Sequence, residues 1–350
     1  MEKISIVTKI KNAYEMFHKE GLGSLLYKIR RRSYHKIHNT LRNLDKYKGK
    51  RLRDKAKQFS RVNRSPLSMS VIIPVLGQHD LAQFSINKII EHHGENLEIL
   101  VIDNGGDFRP DTDNLPKTIS LKVITPPGGN IGVYPTYKFG MDNSTTDIVL
   151  FIHSDLIIDE TDFDIFLKYI FTRKNEIGLV GFVGSDEINC SGGRGFGTTS
   201  NFSYKTHTYK NKSWCGVNSL IYGDRFNGLT NAAVIDSLAM AFRRSAWNKI
   251  EYRQNQSPHH YHDRLFSCQI LEAGYKIAVL GIACDHISGQ TSGGEKKYYN
   301  LARTWCEENK IPLVEDDSGN INWDWSLHEE AKRRFLKEWR DEKHFIPRQI

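Results

Sequence analysis

The 350-residue sequence has no apolar run approaching the roughly 20 residues that a membrane-spanning helix needs. Cysteine is scarce. Cys190, Cys215, Cys268, Cys284 and Cys306 are odd in number and none is spaced C-x-x-C, which argues against a disulfide framework or structural zinc and fits a reducing compartment. The opening MEKISIVTKIKNAYEMF lacks the apolar centre and cleavage signature of a secretory leader, so a cytoplasmic location is expected. G-x-x-x-x-G-K-[ST] is missing, and GGNIG does not match G-x-G-x-x-G, so neither a P-loop nor a dinucleotide fingerprint is supported. No internal repeat is present.

Hydrophobic residues make up 39% of the chain and charged residues 26%, the balance of a globule rather than a disordered chain. The length suits one large α/β domain with extensions, or two modest domains. The net charge of +8 is unevenly placed: residues 1–65 hold 19 Lys/Arg against 5 Asp/Glu, a balance of +14, leaving −6 for the rest. Ile6, Ile10, Tyr14 and Phe17 sit at helical spacing among lysines, and a second basic helical run follows the break EGLGS. Residues 1–60 therefore read as two or three amphipathic basic helices. They could be a solvated face packed on the body, or an attachment to an anionic membrane surface. Nucleic acid is not expected, because no aromatic-basic platform accompanies the charge.

NRSPLS, residues 63–68, reads as a linker, after which the character changes. MSVIIPV (69–75), LEILVIDNGG (97–106), LKVITPP (121–127) and DIVLFIHSD (147–155) are continuous apolar runs with polar tips, typical of strands buried on both faces. LAQFSINKIIEHHG and YPTYKFGMDNS lie between them with helical spacing. The order is doubly wound, with a mostly parallel sheet. Further on, DFDIFLKYIFTRKNE reads as a helix and GLVGFVG as a strand. Residues 184–232 read as loop-rich, and a helix runs from about Asp263 to Ala273. WSLHEEAKRRFLKEW gives a C-terminal helical tail. Ligands of such sheets sit at the carboxyl ends of the strands. The tips at Asp103, at the 128–132 Gly/Asn turn and at His153/Asp155 should share one crevice, and Asp155 and His286 are ordinary ligands for a divalent cation bridging phosphates.

SVIIPV, HDLAQFSINKI, LEILVIDNGG and GGNIGVYPTYKFGMDNSTTDIVLFIHSDLII together resemble the nucleotide-binding half of family-2 glycosyltransferases with the GT-A fold. YHDRLFSCQILEAGYKIAVLG and CDHISG resemble their acceptor half, so the likeness covers about residues 68–290. It implies a basic helical extension over 1–66, a GT-A domain over 67–290 divided near 158, and a mobile loop with a helical tail over 291–350.

The resemblance also implies roles. Asp103 would accept the base N3–H of uracil or thymine; alternatively it caps the Asp-Asn-Gly-Gly turn. Pro74, Asn130 and Gly132 would face the donor. Asp155 ends a D-x-D-like motif, here His153-Ser154-Asp155, and would hold Mn²⁺ or Mg²⁺ with His286. His153 departs from the motif's usual first aspartate, and ribose binding, metal ligation and strand termination stay open for it. Asp263 would be the general base of an inverting transfer, with helix capping as the alternative. Asp236 and His262 would lie at the acceptor, although Asp236 could instead pair with Arg243 or Arg244. Lys296 and Lys297 would neutralise the leaving diphosphate, or belong to an ordinary linker.

The implied activity is metal-dependent transfer of a sugar from a UDP- or dTDP-sugar to a glycan or lipid-linked glycan, at the cytoplasmic face of a membrane. A sugar-binding protein without catalysis and a sugar nucleotidyltransferase are the alternatives. PVLGQHDLAQ lacks the basic residue that a nucleotidyltransferase loop would carry.

Overall fold

Eight strands form the central sheet, in the order Leu229–Ala232, Lys276–Leu280, Ile177–Gly181, Ala239–Arg243, Ile148–Ile152, Met69–Val75, Leu97–Asp103 and Ile119–Ile124. The last four are parallel to one another. Ala239–Arg243 runs antiparallel to both of its neighbours, and Leu229–Ala232 antiparallel to Lys276–Leu280. The architecture is the mostly parallel sheet flanked by helices that the resemblance implies. The computed structural model describes residues 45–62, 66–113, 115–195, 199–217, 224–253, 256–287, 295–343 and 345.

The continuous apolar runs follow from burial of both faces. Successive side chains of a strand point to opposite sides. Val71, Ile73 and Val75 therefore join Ile99, Val101, Leu150 and Ile152 in one core cluster, while Ile72 joins Leu100, Ile102, Val149 and Phe151 in another. The first cluster is covered by helices His79–His92 and Phe163–Arg173, through Ala82, Ile86, Phe166 and Ile170. The second is covered by Val133–Asp142 and His262–Glu272, through Tyr134, Tyr137 and Phe266. Pro74 lies beyond the last pair with the neighbouring strand, Ile72 with Phe151, so its missing N–H does not break that ladder.

Three expectations change. Residues 46–350 form one compact unit. The helix over 46–62 therefore belongs to the body, not to the basic extension. Arg53 explains why: its guanidinium grips both Glu160 oxygens at 2.7 and 2.8 Å and donates to the carbonyls of Asn227 and Gly281, each at 2.7 Å. Lys57 pairs with Asp162 at 2.9 Å, and Ala56 is fully buried. The helices expected over residues 1–44 lie outside the described residues.

Second, the stretch expected to be loop-rich holds a hairpin, Thr206–Tyr209 with Lys212–Cys215, and three strands of a small four-stranded sheet. Strands of two to four residues are too short to carry a period-2 signal. Third, Lys296–Glu308 is a helix, so Lys296 and Lys297 open a helix rather than lie in a loop. Tyr298, Ala302 and Cys306, spaced by four, form its buried stripe. The expected tail helix is present as Trp323–Leu336, continued by a π-helical turn, Lys337–Glu342. Among the described residues no helix is long and apolar enough to cross a membrane.

Arg53→Ala leaves Glu160 and two carbonyls without their donor. It should lower the unfolding free energy by about 2 kcal/mol, the scale of a part-buried charged hydrogen-bond set, read as a drop in the urea midpoint.

Candidate active site

The strand Ile148–Ile152 ends one residue before His153, whose N–H donates to the Leu238 carbonyl at 3.0 Å. The chain turns and resumes as Leu156–Ile158, which pairs antiparallel with Cys284–His286 and sets His286 opposite Leu156. The Ile287 N–H then donates to the Asp155 carbonyl at 3.0 Å. This pairing brings together residues 131 apart in sequence. His286 Nε2 lies 3.2 Å from Asp155 Oδ1, and His153 Nδ1 lies 3.9 Å from the same oxygen. One ligand atom from each of the three can lie within 4.8 Å of the others.

Their protonation is linked. Burial opposes charge on Asp155, yet the neighbouring His286 holds its carboxyl below the usual range. Burial also opposes charge on His286, but Asp155 outweighs it and raises its pKa. Burial alone dominates at His153 and lowers its pKa. Two imidazole nitrogens and a carboxylate oxygen converging at a strand end are a donor set that fits a borderline divalent cation.

Asp285, fully buried beside His286, pins this edge. It accepts hydrogen bonds from the N–H groups of Tyr204 and Lys205 at 2.6 and 3.1 Å and contacts His207 Nε2 at 2.9 Å. Asp159, His207 and Asp285 are also close enough to share an ion. The Asp285 oxygens already serve these donors, so the cluster reads as a structural clamp on the 204–216 hairpin.

His153 also lines a pocket of about 220 Å³ with Arg194, Asp236, His262, Asp263 and His328. Asp236 accepts from the Leu238 N–H at 3.0 Å and forms a close ion pair with Arg194. Burial disfavours its charge, but Arg194 overcomes this and holds the carboxyl well below its ordinary range. The alternatives of Arg243 and Arg244 as its partner are corrected: both guanidiniums donate to backbone carbonyls, Arg243 to Ile177 and Arg244 to Thr146.

Asp263 is buried in the first turn of His262–Glu272 but does not cap it; Tyr261 holds the cap position. The Arg264 guanidinium reaches both Asp263 oxygens at 2.7 and 2.8 Å, and the Arg264 N–H donates to Oδ1. His262 is buried beside the Tyr137 ring, and neither of its ring nitrogens has a hydrogen-bond partner among the described residues. Burial pushes its pKa down to about 4, so the ring is neutral.

The donor-side residues behave differently. Asp103 has no exposed surface, and its oxygens accept the N–H groups of Gly105, Gly106 and Phe108 at 3.0, 2.8 and 2.9 Å. It builds its turn, and nothing of the side chain is left exposed to read a base. Asn130 accepts from the Gly132 N–H at 3.1 Å and donates to the Lys297 carbonyl at 3.2 Å. Gly132 has φ +83°, and a Cβ there would come within 2.7 Å of Pro258. Its close approach is thus to protein. Lys297 donates to the Gly105 carbonyl at 2.8 Å, joining the 296–308 helix to the strand tip; Lys296 is exposed. Pro74 is half-buried.

Sequence reading missed Arg194, Arg264, His259 and His328 as pocket-lining residues. Arg264 adjoins Asp263 and was visible as a neighbouring charge. Arg194 sits in a glycine-rich run and His328 in a helical tail, with no local pattern to mark either.

The model of a family described as glycosyltransferase-like matches residues 129–346. The chain belongs to that family. The match contains His153, Asp155, Asp236, Asp263 and His286, and begins after Pro74 and Asp103. No curated protein matches the chain. Distant likenesses occur among solved structures. One is the Pyrobaculum calidifontis mannosyltransferase PcManGT with GDP-Man and Mn²⁺ (13% identity, TM-score 0.40, 85% of this chain and 80% of that chain). Another is S. aureus TarS 1-349 with UDP-GlcNAc (14%, 0.41, 79% and 74%). A third is GalNAc-T7 with UDP, GalNAc and Mn²⁺ (11%, 0.42, 80% and 58%). At such scores these likenesses bear on no residue of this chain.

Asp103→Ala removes the buried acceptor of three backbone N–H groups. A loss of about 2–4 kcal/mol is expected in urea unfolding. A loss below about 1 kcal/mol would show that the turn holds without it.

Proposed function

We propose that this member of the glycosyltransferase-like family is a metal-dependent inverting glycosyltransferase, moving a sugar from a nucleoside diphosphate sugar to a hydroxyl of a glycan acceptor. One observation carries the reading: His153 belongs both to the three-residue ligand set and to the pocket that holds Asp263. A diphosphate beside the first and an acceptor hydroxyl in the second would therefore be neighbours.

In this reading the acceptor oxygen forms its bond to the sugar C1 as the C1–O bond to the diphosphate breaks. The hydroxyl proton passes to Asp263, and the configuration at C1 inverts. Arg264 grips both Asp263 oxygens and fixes where that carboxylate stands. His262 and Asp236 hold the acceptor hydroxyls, the first through a neutral ring. Asp155 and His286, with His153 beside them, would hold Mn²⁺ or Mg²⁺, which supplies positive charge to the departing diphosphate. Lys297, at the tip near Gly105, adds charge on the donor side.

The UDP or dTDP preference drops out of the proposal, because it rested on Asp103, which is consumed by its turn. The expected partner of the basic segment, an anionic membrane surface, is kept for residues 1–45 only, since Arg53 and Lys57 are engaged by the body. Such an attachment suits assembly of lipid-linked or cell-surface glycans.

Release of nucleoside diphosphate from a panel of UDP-, dTDP- and GDP-sugars should require Mn²⁺ or Mg²⁺, stop with EDTA, and fail in Asp155→Ala. Asp263→Asn should lower kcat at least about 10²-fold while keeping donor affinity within about twofold. A fully active Asp263→Asn would remove the base assignment. In flotation with anionic vesicles, deletion of 1–45 should abolish binding; unchanged flotation would count against the membrane attachment.

A further inference from the structure

The segment leading into Asp263 is strained. His260 and Tyr261 are consecutive non-glycine residues in the left-handed region, with φ of +62° and +55°. Each such residue carries a steric cost and persists only where its surroundings over-determine it. The two residues turn the chain sharply, so that the helix beginning at His262 puts His262 and Asp263 on the pocket wall.

The grip on this turn comes from far along the chain. His260 Nε2 lies 2.8 Å from Asp324 Oδ1. The Tyr298 hydroxyl donates to that same oxygen. Burial disfavours charge on Asp324, but its hydrogen bond with His260 outweighs this and keeps its pKa low. The Tyr261 ring is flanked by His328 and Phe335, with centroids 5.4 and 5.6 Å away, and lies under the Arg264 guanidinium. Tyr298 belongs to the helix Lys296–Glu308; Asp324, His328 and Phe335 belong to Trp323–Leu336. On the other side Pro258 is fixed by its carbonyl, which accepts the Tyr134 N–H at 3.0 Å. The strained pair is thus held between a helix of the donor side and the two C-terminal helices.

We propose that Asp324 is a positioning residue: by holding His260, with Tyr298 as its second donor, it keeps the His260–Tyr261 turn left-handed and so aims Asp263 and His262 into the acceptor pocket. The C-terminal helices are then part of the catalytic apparatus and not an appendage. The inference rests on Asp263 acting as the base. Asp324 itself touches neither Asp263 nor the ligand set. Its effect must pass through the turn, as displacement of groups that need placement to within a fraction of an ångström; a 1 Å error there can cost about 10²-fold in rate.

The test uses the full chain and three variants. Asp324→Ala removes the acceptor. Asp324→Asn keeps an oxygen for both donors. Tyr298→Phe removes one donor with little change of shape. Nucleoside diphosphate release with Mn²⁺ is measured on the donor that the wild type turns over, together with the ring signals of ¹⁵N-labelled histidines, assigned with His260→Gln and His262→Phe. In Asp324→Ala, kcat should fall about 30- to 100-fold with donor KM within about twofold. The His262 ring signals should move, although that ring does not touch Asp324. Asp324→Asn should recover kcat to within about fivefold of wild type and restore the His262 signals, and Tyr298→Phe should lie between.

A wild-type kcat in Asp324→Ala overturns the proposal. So does a kcat loss matched by a rise in donor KM, or a change confined to the His260 signals. Should Asp324→Ala not fold, Tyr298→Phe with unmoved His262 signals and unchanged kcat overturns it. If the wild type turns over no donor, the glycosyl-transfer reading fails by itself, and the His262 signals still decide whether Asp324 sets the turn.

Discussion

A sheet covered on both faces leaves polar side chains room only at its ends, and this constraint orders the rest of the molecule. Burying an unpaired polar group in such an interior costs several kcal/mol, so the strands read as unbroken apolar runs and the chemistry is displaced to their tips. Met69–Val75 and Ile148–Ile152 are buried almost throughout. The antiparallel strand Ala239–Arg243 pairs Ala239 with Ile152, so the residues just before it, including Asp236, arrive at the same edge as His153. A reversed strand inside the sheet thereby gathers groups from both directions of the chain.

Charge at that edge is balanced locally. Asp236 is matched by Arg194 and Asp263 by Arg264, while buried His262 is neutral. A buried carboxylate without a partner would destabilise the fold, so each of the two carries its own guanidinium, and Arg194 holds the Asp236 carboxyl well below its ordinary range. The same pairing limits access: Arg264 reaches both Asp263 oxygens, so any group that meets this carboxylate must come along the lone pairs that Arg264 leaves. His153, Asp155 and His286 are less evenly matched, with one carboxylate between two imidazoles. That asymmetry suits a site completed by a cation and a diphosphate, whose charges offset each other.

What was legible in the sequence is what depends on neighbours in the chain. Apolar runs and helical stripes located the strands and helices of the sheet, and polar tips marked the edge. Asp103 shows the limit. Asp-Asn-Gly-Gly after a strand is equally a donor contact and a turn that consumes its own carboxylate, and only the three N–H distances decide. The helix Lys296–Glu308 carried a stripe at Tyr298, Ala302 and Cys306, but the glycines and lysines before it masked the signal. The partner of Asp236 could not be read at all, since Arg194 reaches it across 42 residues from a stretch of strands too short for any periodicity.

The turn at His260 and Tyr261 is the sharper case. Sequence rules place glycine or asparagine where the backbone must be left-handed, because other residues meet a steric penalty there. His-Tyr breaks that rule, and a local reading assigns the segment no turn. The compensation lies 64 residues away, in Asp324, and in Tyr298 between them. A chain that needed only a turn here would satisfy it more cheaply with glycine. Retaining two side chains at a strained position, each gripped by the C-terminal helices, ties the geometry of the Asp263 pocket to the docking of those helices. The family match runs to residue 346 and so takes in both partners of the grip.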